Sequence, residues 1–180
     1  MPFSNLIVGP KPDQARDIGW FPKLQELEIE NCPELVLVAR IPWTETLHHS
    51  IITGTKLLVK FEHMSNYLHI TGKEALQSLD EVVQFNGMTD IEHLYLDTCP
   101  PLQPKQLLML TSLRTLILCR SDALVGLVGG EGNEEWQHPV EHLQVVESCC
   151  GKELTKLLRH LPRLSQLEVI RCERITQLAT

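Results

Sequence analysis

The sequence predicts an α/β solenoid: a curved parallel β-sheet on the concave side, with helices and irregular turns on the convex side. Three observations predict it. An aliphatic residue, two variable residues, a leucine, one variable residue and a second aliphatic recur along the chain, as Leu24/Leu27/Ile29, Ile91/Leu94/Leu96 and Leu164/Leu167/Val169. A cysteine follows three positions later in each, at Cys32, Cys99 and Cys172. The copies starting at 91, 113, 140 and 164 are spaced by 22, 27 and 24 residues, inside the range of about 20–29 for a leucine-rich repeat.

Each phrase alternates apolar and variable residues, the pattern of a half-buried strand. Leu27 and Ile29 are expected to point inward and Glu26, Glu28 and Glu30 outward. One such strand cannot bury its apolar side alone, and about three stacked copies are the minimum for a stable core. Five copies are clear, two of them with serine at the cysteine position: Leu113/Leu116/Leu118/Ser121 and Val140/Leu143/Val145/Ser148. The interval from 24 to 91 leaves room for two degenerate copies, one including Leu68 and Ile70 and another Leu57 to Phe61. Residues 1–20 read as an irregular N-terminal segment and 21–180 as the repeat domain.

The cysteine position suits a turn, where a small buried thiol behaves as a weakly polar hydrophobe. A further apolar residue follows at Leu35, Leu102, Leu124 and Ile175, and Gly151 breaks the rule. Returning segments on the convex side are expected to be helical. Leu76, Leu79 and Val83 have helical spacing over 74–83; Leu107, Leu108 and Leu110 make a shorter turn. Leu154, Leu157, Leu158 and Leu161 make the best amphipathic helix, ending at Pro162.

Composition narrows the function classes. The chain has 180 residues, 43% of them hydrophobic, enough for one core. Sixteen basic against 23 acidic residues give a net charge of −7, which argues against nucleic acid as a partner. Aromatic residues make up only 5%, too few for base-stacking platforms. No stretch approaches the roughly 20 apolar residues of a membrane span. The first ten residues lack the basic start and long apolar run of a secretory signal. The repeat accounts for three of six cysteines as buried thiols, so a reducing compartment, the cytoplasm or nucleus, is expected rather than disulfides.

Four segments carry a family likeness. They are Phe21-Pro-Lys-Leu-Gln-Glu-Leu-Glu-Ile-Glu-Asn-Cys-Pro-Glu-Leu35, Ile41-Pro-Trp-Thr-Glu-Thr-Leu47, Leu110-Thr-Ser-Leu-Arg-Thr-Leu-Ile-Leu118 and Leu161-Pro-Arg-Leu-Ser-Gln-Leu-Glu-Val169, with Leu68-His-Ile-Thr-Gly-Lys-Glu-Ala-Leu76 beside them. From about Trp20 onward the chain resembles the C-terminal leucine-rich repeat region of plant, particularly cereal, nucleotide-binding leucine-rich repeat (NLR) disease-resistance proteins. The resemblance implies ligand recognition in defence. The partner it implies is a protein: a pathogen effector or the receptor's own nucleotide-binding module. Such receptors carry a phosphate-binding Gly-Lys-Ser/Thr loop in an upstream module, and this sequence has none. A receptor fragment, a truncated product and a stand-alone repeat protein are the forms this leaves. A ubiquitin-ligase adaptor of the same fold would need a docking motif outside the repeats, for which the first twenty residues are short and proline-broken.

Residues that suggest chemistry have plainer readings. Gly126-Leu-Val-Gly-Gly-Glu-Gly132 is followed by Asn133-Glu134-Glu135-Trp136, not by the Lys-Ser/Thr of a phosphate cradle, and reads as a loop. His138, His142, Cys149 and Cys150 have no convergent zinc spacing. His48-His49 reads as a solvated loop. The carboxylates of Glu26, Glu28 and Glu30 read as a solvated acidic face, not as a general acid–base pair. No catalytic residue, metal or cofactor is expected.

The outward positions define the candidate binding surface. One row is Glu26, His93, Thr115, His142 and Gln166; the central row is Glu28, Tyr95, Ile117, Gln144 and Glu168; the third is Glu30, Asp97, Cys119, Val146 and Ile170. The protein-binding candidates are Glu26, Glu28, Glu30, His93, Tyr95, Asp97, Ile117, Gln144, Val146, Glu168 and Ile170. Apolar Ile117, Val146 and Ile170 near Tyr95 are expected to form a patch.

Overall fold

A computed structural model describes residues 23–36, 46–121, 136–148, 151–173 and 175. Its centre is an eight-stranded sheet with the strands side by side in chain order. These are β1 (Glu26–Glu30), β2 (His49–Thr53), β3 (Leu58–Met64), β4 (Tyr67–Gly72), β5 (His93–Asp97), β6 (Thr115–Cys119), β7 (His142–Val146) and β8 (Gln166–Ile170). All neighbours pair in parallel except β3, which is antiparallel to both β2 and β4. Sequential parallel strands require a crossover between each pair. Between β5 and β6 the crossover contains helix α1 (Pro104–Met109), and between β7 and β8 it contains helix α2 (Gly151–Leu158).

The five phrases place five strands at one register. Leu94, Leu116, Leu143 and Leu167 are successive partners across β5 to β8, as are Leu96, Leu118, Val145 and Val169. Their inner side chains meet Leu76, Leu79, Val82, Val83, Leu102, Leu107, Leu110, Leu154 and Leu157 from the returning segments in one continuous core. Complete burial of such a side chain contributes about 1.5–3 kcal/mol, so this layer is the main source of stability. At the sheet edges the same positions, Leu27, Ile29, Leu167 and Val169, are only half-buried.

The backbone repeats as strictly as the side chains. The residue after five of the strands, Asn31, Thr98, Arg120, Glu147 and Arg171, has φ between 43° and 53°. At this left-handed bend the N–H reaches the last carbonyl of the next strand: Asn31 to Thr53, Thr98 to Cys119 and Arg120 to Val146 at 3.0 Å, and Glu147 to Ile170 at 2.9 Å. The cysteine position then closes the turn. Cys99 Sγ donates to the carbonyls of Ile70 and Asp97, Cys172 Sγ to those of Val145 and Ile170, and Ser121 Oγ to that of Cys99. Burial pushes the Cys99 thiol up to about 12, as expected of a structural thiol.

Four expectations are corrected. Of the three repeat cysteines expected as buried thiols only Cys99 is buried; Cys32 is exposed and Cys172 half-buried, because they follow the edge strands β1 and β8. Residues 74–83 form turns and a short 3₁₀ segment (Leu79–Glu81), not a helix. Ser78 caps this segment: its side chain accepts from Asp80 N, while Glu81 accepts from Ser78 N at 2.8 Å. Such local bonds compete with a continuing helix, yet Leu76, Leu79 and Val83 still reach the core. The interval before β5 holds three strands: the copy expected at Leu68 and Ile70 is β4, parallel to β5, whereas the copy expected at Leu57 to Phe61 falls on β3, which runs in reverse, and β2 is an additional strand. Gly54, at φ 62°, opens the first turn; the two-residue turn Ser65-Asn66, with Ser65 at φ 46°, makes the second. His49, expected in a solvated loop, is the first residue of β2. The predicted helices at Leu107 and Leu154 are present as α1 and α2.

The outward sheet face as candidate functional site

Alternation sends every second side chain of the sheet away from the core, and register aligns them into three rows across eight strands. The first row runs Glu26, His49, Met64, Tyr67, His93, Thr115, His142, Gln166. The central row runs Glu28, Ile51, Glu62, His69, Tyr95, Ile117, Gln144, Glu168, and the third Glu30, Thr53, Lys60, Thr71, Asp97, Cys119, Val146, Ile170. The rows expected from the repeats are thus adjacent on one surface. β2, β3 and β4 add nine members that the column reading left out. The outward residues of Leu68-x-Ile70, Tyr67 and His69, were legible by the same rule.

The middle of the surface is aromatic. The His69 ring packs edge-on against Tyr95 with centroids 4.3 Å apart, and Tyr67 lies edge-on to His69 at 6.3 Å. Burial lowers the pKa of His69, and nearby Lys60 lowers it further. The Tyr95 hydroxyl is pushed up to about 12, first by burial and then by its hydrogen bond to the Cys119 thiol. This group is therefore an uncharged, half-buried contact patch at neutral pH. Beyond it Ile117 and Val146 are half-buried, and Ile170 is 38% exposed.

Charge is distributed unevenly. Glu26, Glu28 and Glu30 are all exposed at the β1 end. Glu62 is bridged by Lys60 at 2.7 Å. Asp97, expected as an open surface carboxylate, is only 7% exposed. Its Oδ2 accepts from Arg120 at 2.5 Å and its Oδ1 from Thr98 Oγ1 at 3.0 Å. The left-handed bends after β6, β7 and β8 bring Arg120, Glu147 and Arg171 side by side along the strand ends. Arg120 also lies 3.6 Å from Glu147, which pairs with Arg171 at 3.3 Å. This charged rim was missed by the three-row reading; the polar residue directly after each strand, read as a fourth column, would have found it.

Glu168 is positioned differently. Its Oε2 accepts from Gln144 Nε2 and its Oε1 from Gln166 Nε2, both at 2.6 Å. With Ile117 and Leu143 these residues border a hollow of about 240 Å³ on the sheet face. Two larger grooves, of about 560 and 790 Å³, follow the starts of the strands. Their walls hold polar groups that already pair with each other, Arg114 with Glu141 at 2.8 Å and Asn66 with Glu92 at 3.3 Å.

The other residues singled out for chemistry separate. His138 is buried on the core side, with Nε2 3.1 Å from the Leu110 carbonyl, while His142 is half-exposed in the first row. Burial lowers the pKa of His138. Cys149, Cys150 and residues 126–132 lie outside the described residues. Among the described residues, no three His, Cys, Asp or Glu side chains are grouped to hold a metal ion, and no helix is long and apolar enough to cross a membrane.

Comparison with protein-family models, curated proteins and solved structures gives no match.

Proposed function

We propose that this chain is a leucine-rich repeat module of a plant NLR-type immune receptor, and that it works without catalysis by holding a protein against its concave face. The observation that carries the reading is the three-row surface. One short phrase, repeated along the sequence, delivers side chains of different chemistry to adjacent positions on a continuous sheet. The aromatic centre of His69, Tyr67 and Tyr95 beside Ile117 has the make-up of an interface hot spot. The flanking carboxylates supply a polar, acidic surround. Stacked-repeat folds use such extended surfaces for recognition. The likeness of the repeat segments to those receptors supplies the biological setting, a cytoplasmic or nuclear defence response.

The test is partner identification by proximity labelling in plant cells, followed by two variants. Tyr95→Ala combined with Ile117→Lys should weaken capture of the identified partner by at least about thirtyfold, the effect of losing a hot-spot residue. Leu108→Lys on the opposite side, where Leu108 is 42% exposed on α1, should leave capture unchanged. Capture that survives the first pair, or that is lost only with the second, overturns the concave-face reading.

A further inference from the structure

We infer that the hollow over β6, β7 and β8 is a receptor for one arginine side chain of a polypeptide partner. The inference rests on the concave face being the binding surface, and it names the chemistry recognised there. Three observations lead to it.

The first is size. At about 240 Å³ the hollow falls below the roughly 300–1,000 Å³ of sites that enclose a small organic ligand, and it suits a single long side chain. The second is the arrangement of its walls. The outward Ile117 side chain supplies an apolar surface for an aliphatic stem, and Glu168 supplies a carboxylate in the same hollow. Gln144 and Gln166 each donate to one oxygen of Glu168, which fixes the plane of the carboxylate. An ionised carboxylate offers about four lone-pair sites, so two remain after these bonds. A planar guanidinium meets such a fixed pair with two parallel N–H bonds, whereas an ammonium engages it as a point charge. The third is charge. Among the described residues no basic side chain forms an ion pair with Glu168. In the outward rows of β6, β7 and β8, Glu168 is the one carboxylate and no lysine or arginine stands beside it. An unpaired carboxylate of this kind attracts a basic group and repels an acidic one.

The probe is N-acetyl-arginine methylamide, titrated into the isotope-labelled full chain and followed by NMR. N-acetyl-citrulline methylamide is the uncharged control of nearly equal shape. The arginine compound should shift the side-chain amide signals of Gln144 and Gln166 and the Ile117 methyl signals, and citrulline at the same concentration should not. Glu168→Gln should weaken the arginine titration roughly three- to tenfold with an unchanged melting temperature, because a single partly exposed charge pair is lost. Glu74→Gln, in the exposed turn after β4, should leave it unaltered. Equal shifts with citrulline, indifference to Glu168→Gln, or shifts confined to other residues would each overturn the assignment. A partner that needs Tyr95 but tolerates Glu168→Gln also removes the arginine site, while leaving the concave face as the interface. Arginine binding that depends on Glu168, with a partner indifferent to every concave substitution, overturns the protein-binding reading instead.

Discussion

Gly72→Ala should destabilise the chain because β4 and β5 touch at that point. Gly72 ends β4 and is buried. A Cβ added there would sit 2.7 Å from the carbonyl oxygen of Thr98 and 3.0 Å from Leu76 Cδ2, where ordinary contact starts at 3.4 Å. Leu76 is a flexible side chain and can move. The Thr98 carbonyl belongs to the left-handed bend, whose N–H is bonded to Cys119 at 3.0 Å, so its movement disturbs the next turn as well. Overpacking of this kind costs about 1–3 kcal/mol. Alanine returns about 0.4–1 kcal/mol by restricting the unfolded chain, since Gly72 is not in the left-handed region. A net loss of about 1–2 kcal/mol remains, or a fall in Tm of roughly 2–8 °C for a domain of this size. Urea denaturation should show a lower midpoint with unchanged slope, together with NMR shifts at Thr98 and Asp97. A variant as stable as the parent, or more so, would refute the view that close backbone approach at the strand ends fixes the spacing of the repeats.

The same bends give a prediction of opposite sign. Thr98, β-branched at φ 51°, should be replaceable by asparagine, which already holds the equivalent position at Asn31, with a gain of about 0.5–1 kcal/mol in urea midpoint analysis. Thiol mapping by alkylation and mass spectrometry should label exposed Cys32 in the native protein and Cys99 only after unfolding, because Cys99 is buried with its pKa pushed up to about 12. Acid should destabilise the fold through its histidines. Burial lowers the pKa values of His63, His69 and His138 below the unfolded value of 6.5, so the unfolded chain binds more protons in that interval. Their contribution is complete above about pH 6.5 and is lost as pH falls from there through the folded pKa values. Melting curves from pH 8 to 5 should show this decline, with a shallower one in His138→Gln.

The sequence was most readable where local pattern and tertiary role coincide. Leu94 and Leu96, or Leu116 and Leu118, lie inside because period-two alternation on a half-buried sheet leaves no other register. Tyr95, Ile117, Gln144 and Glu168 could be placed in one row for the same reason. β3 was misread because its alternation, Phe61 and His63 inside and Lys60, Glu62 and Met64 outside, is the same whether a strand runs forward or back; direction is decided by the turns at Gly54 and Ser65-Asn66, and only the glycine is a strong turn signal. Asp97 was misplaced as an open carboxylate because its partner, Arg120, is 23 residues away and reaches it only through the left-handed bend after β6. The clasp of Gln144 and Gln166 on Glu168 also depends on contacts between repeats, although its members were named from their columns.

The reversed strand affects more than pairing. β3 enters between β2 and β4 through two short turns, with no helix-bearing crossover on either side. It widens the sheet by one strand spacing, roughly 4.8 Å. Glu28 on β1 and His69 on β4 therefore stand three spacings apart in the central row, roughly 14 Å. A partner that touches both the acidic edge strand and the aromatic patch has to span that distance across side chains that no repeat phrase specifies.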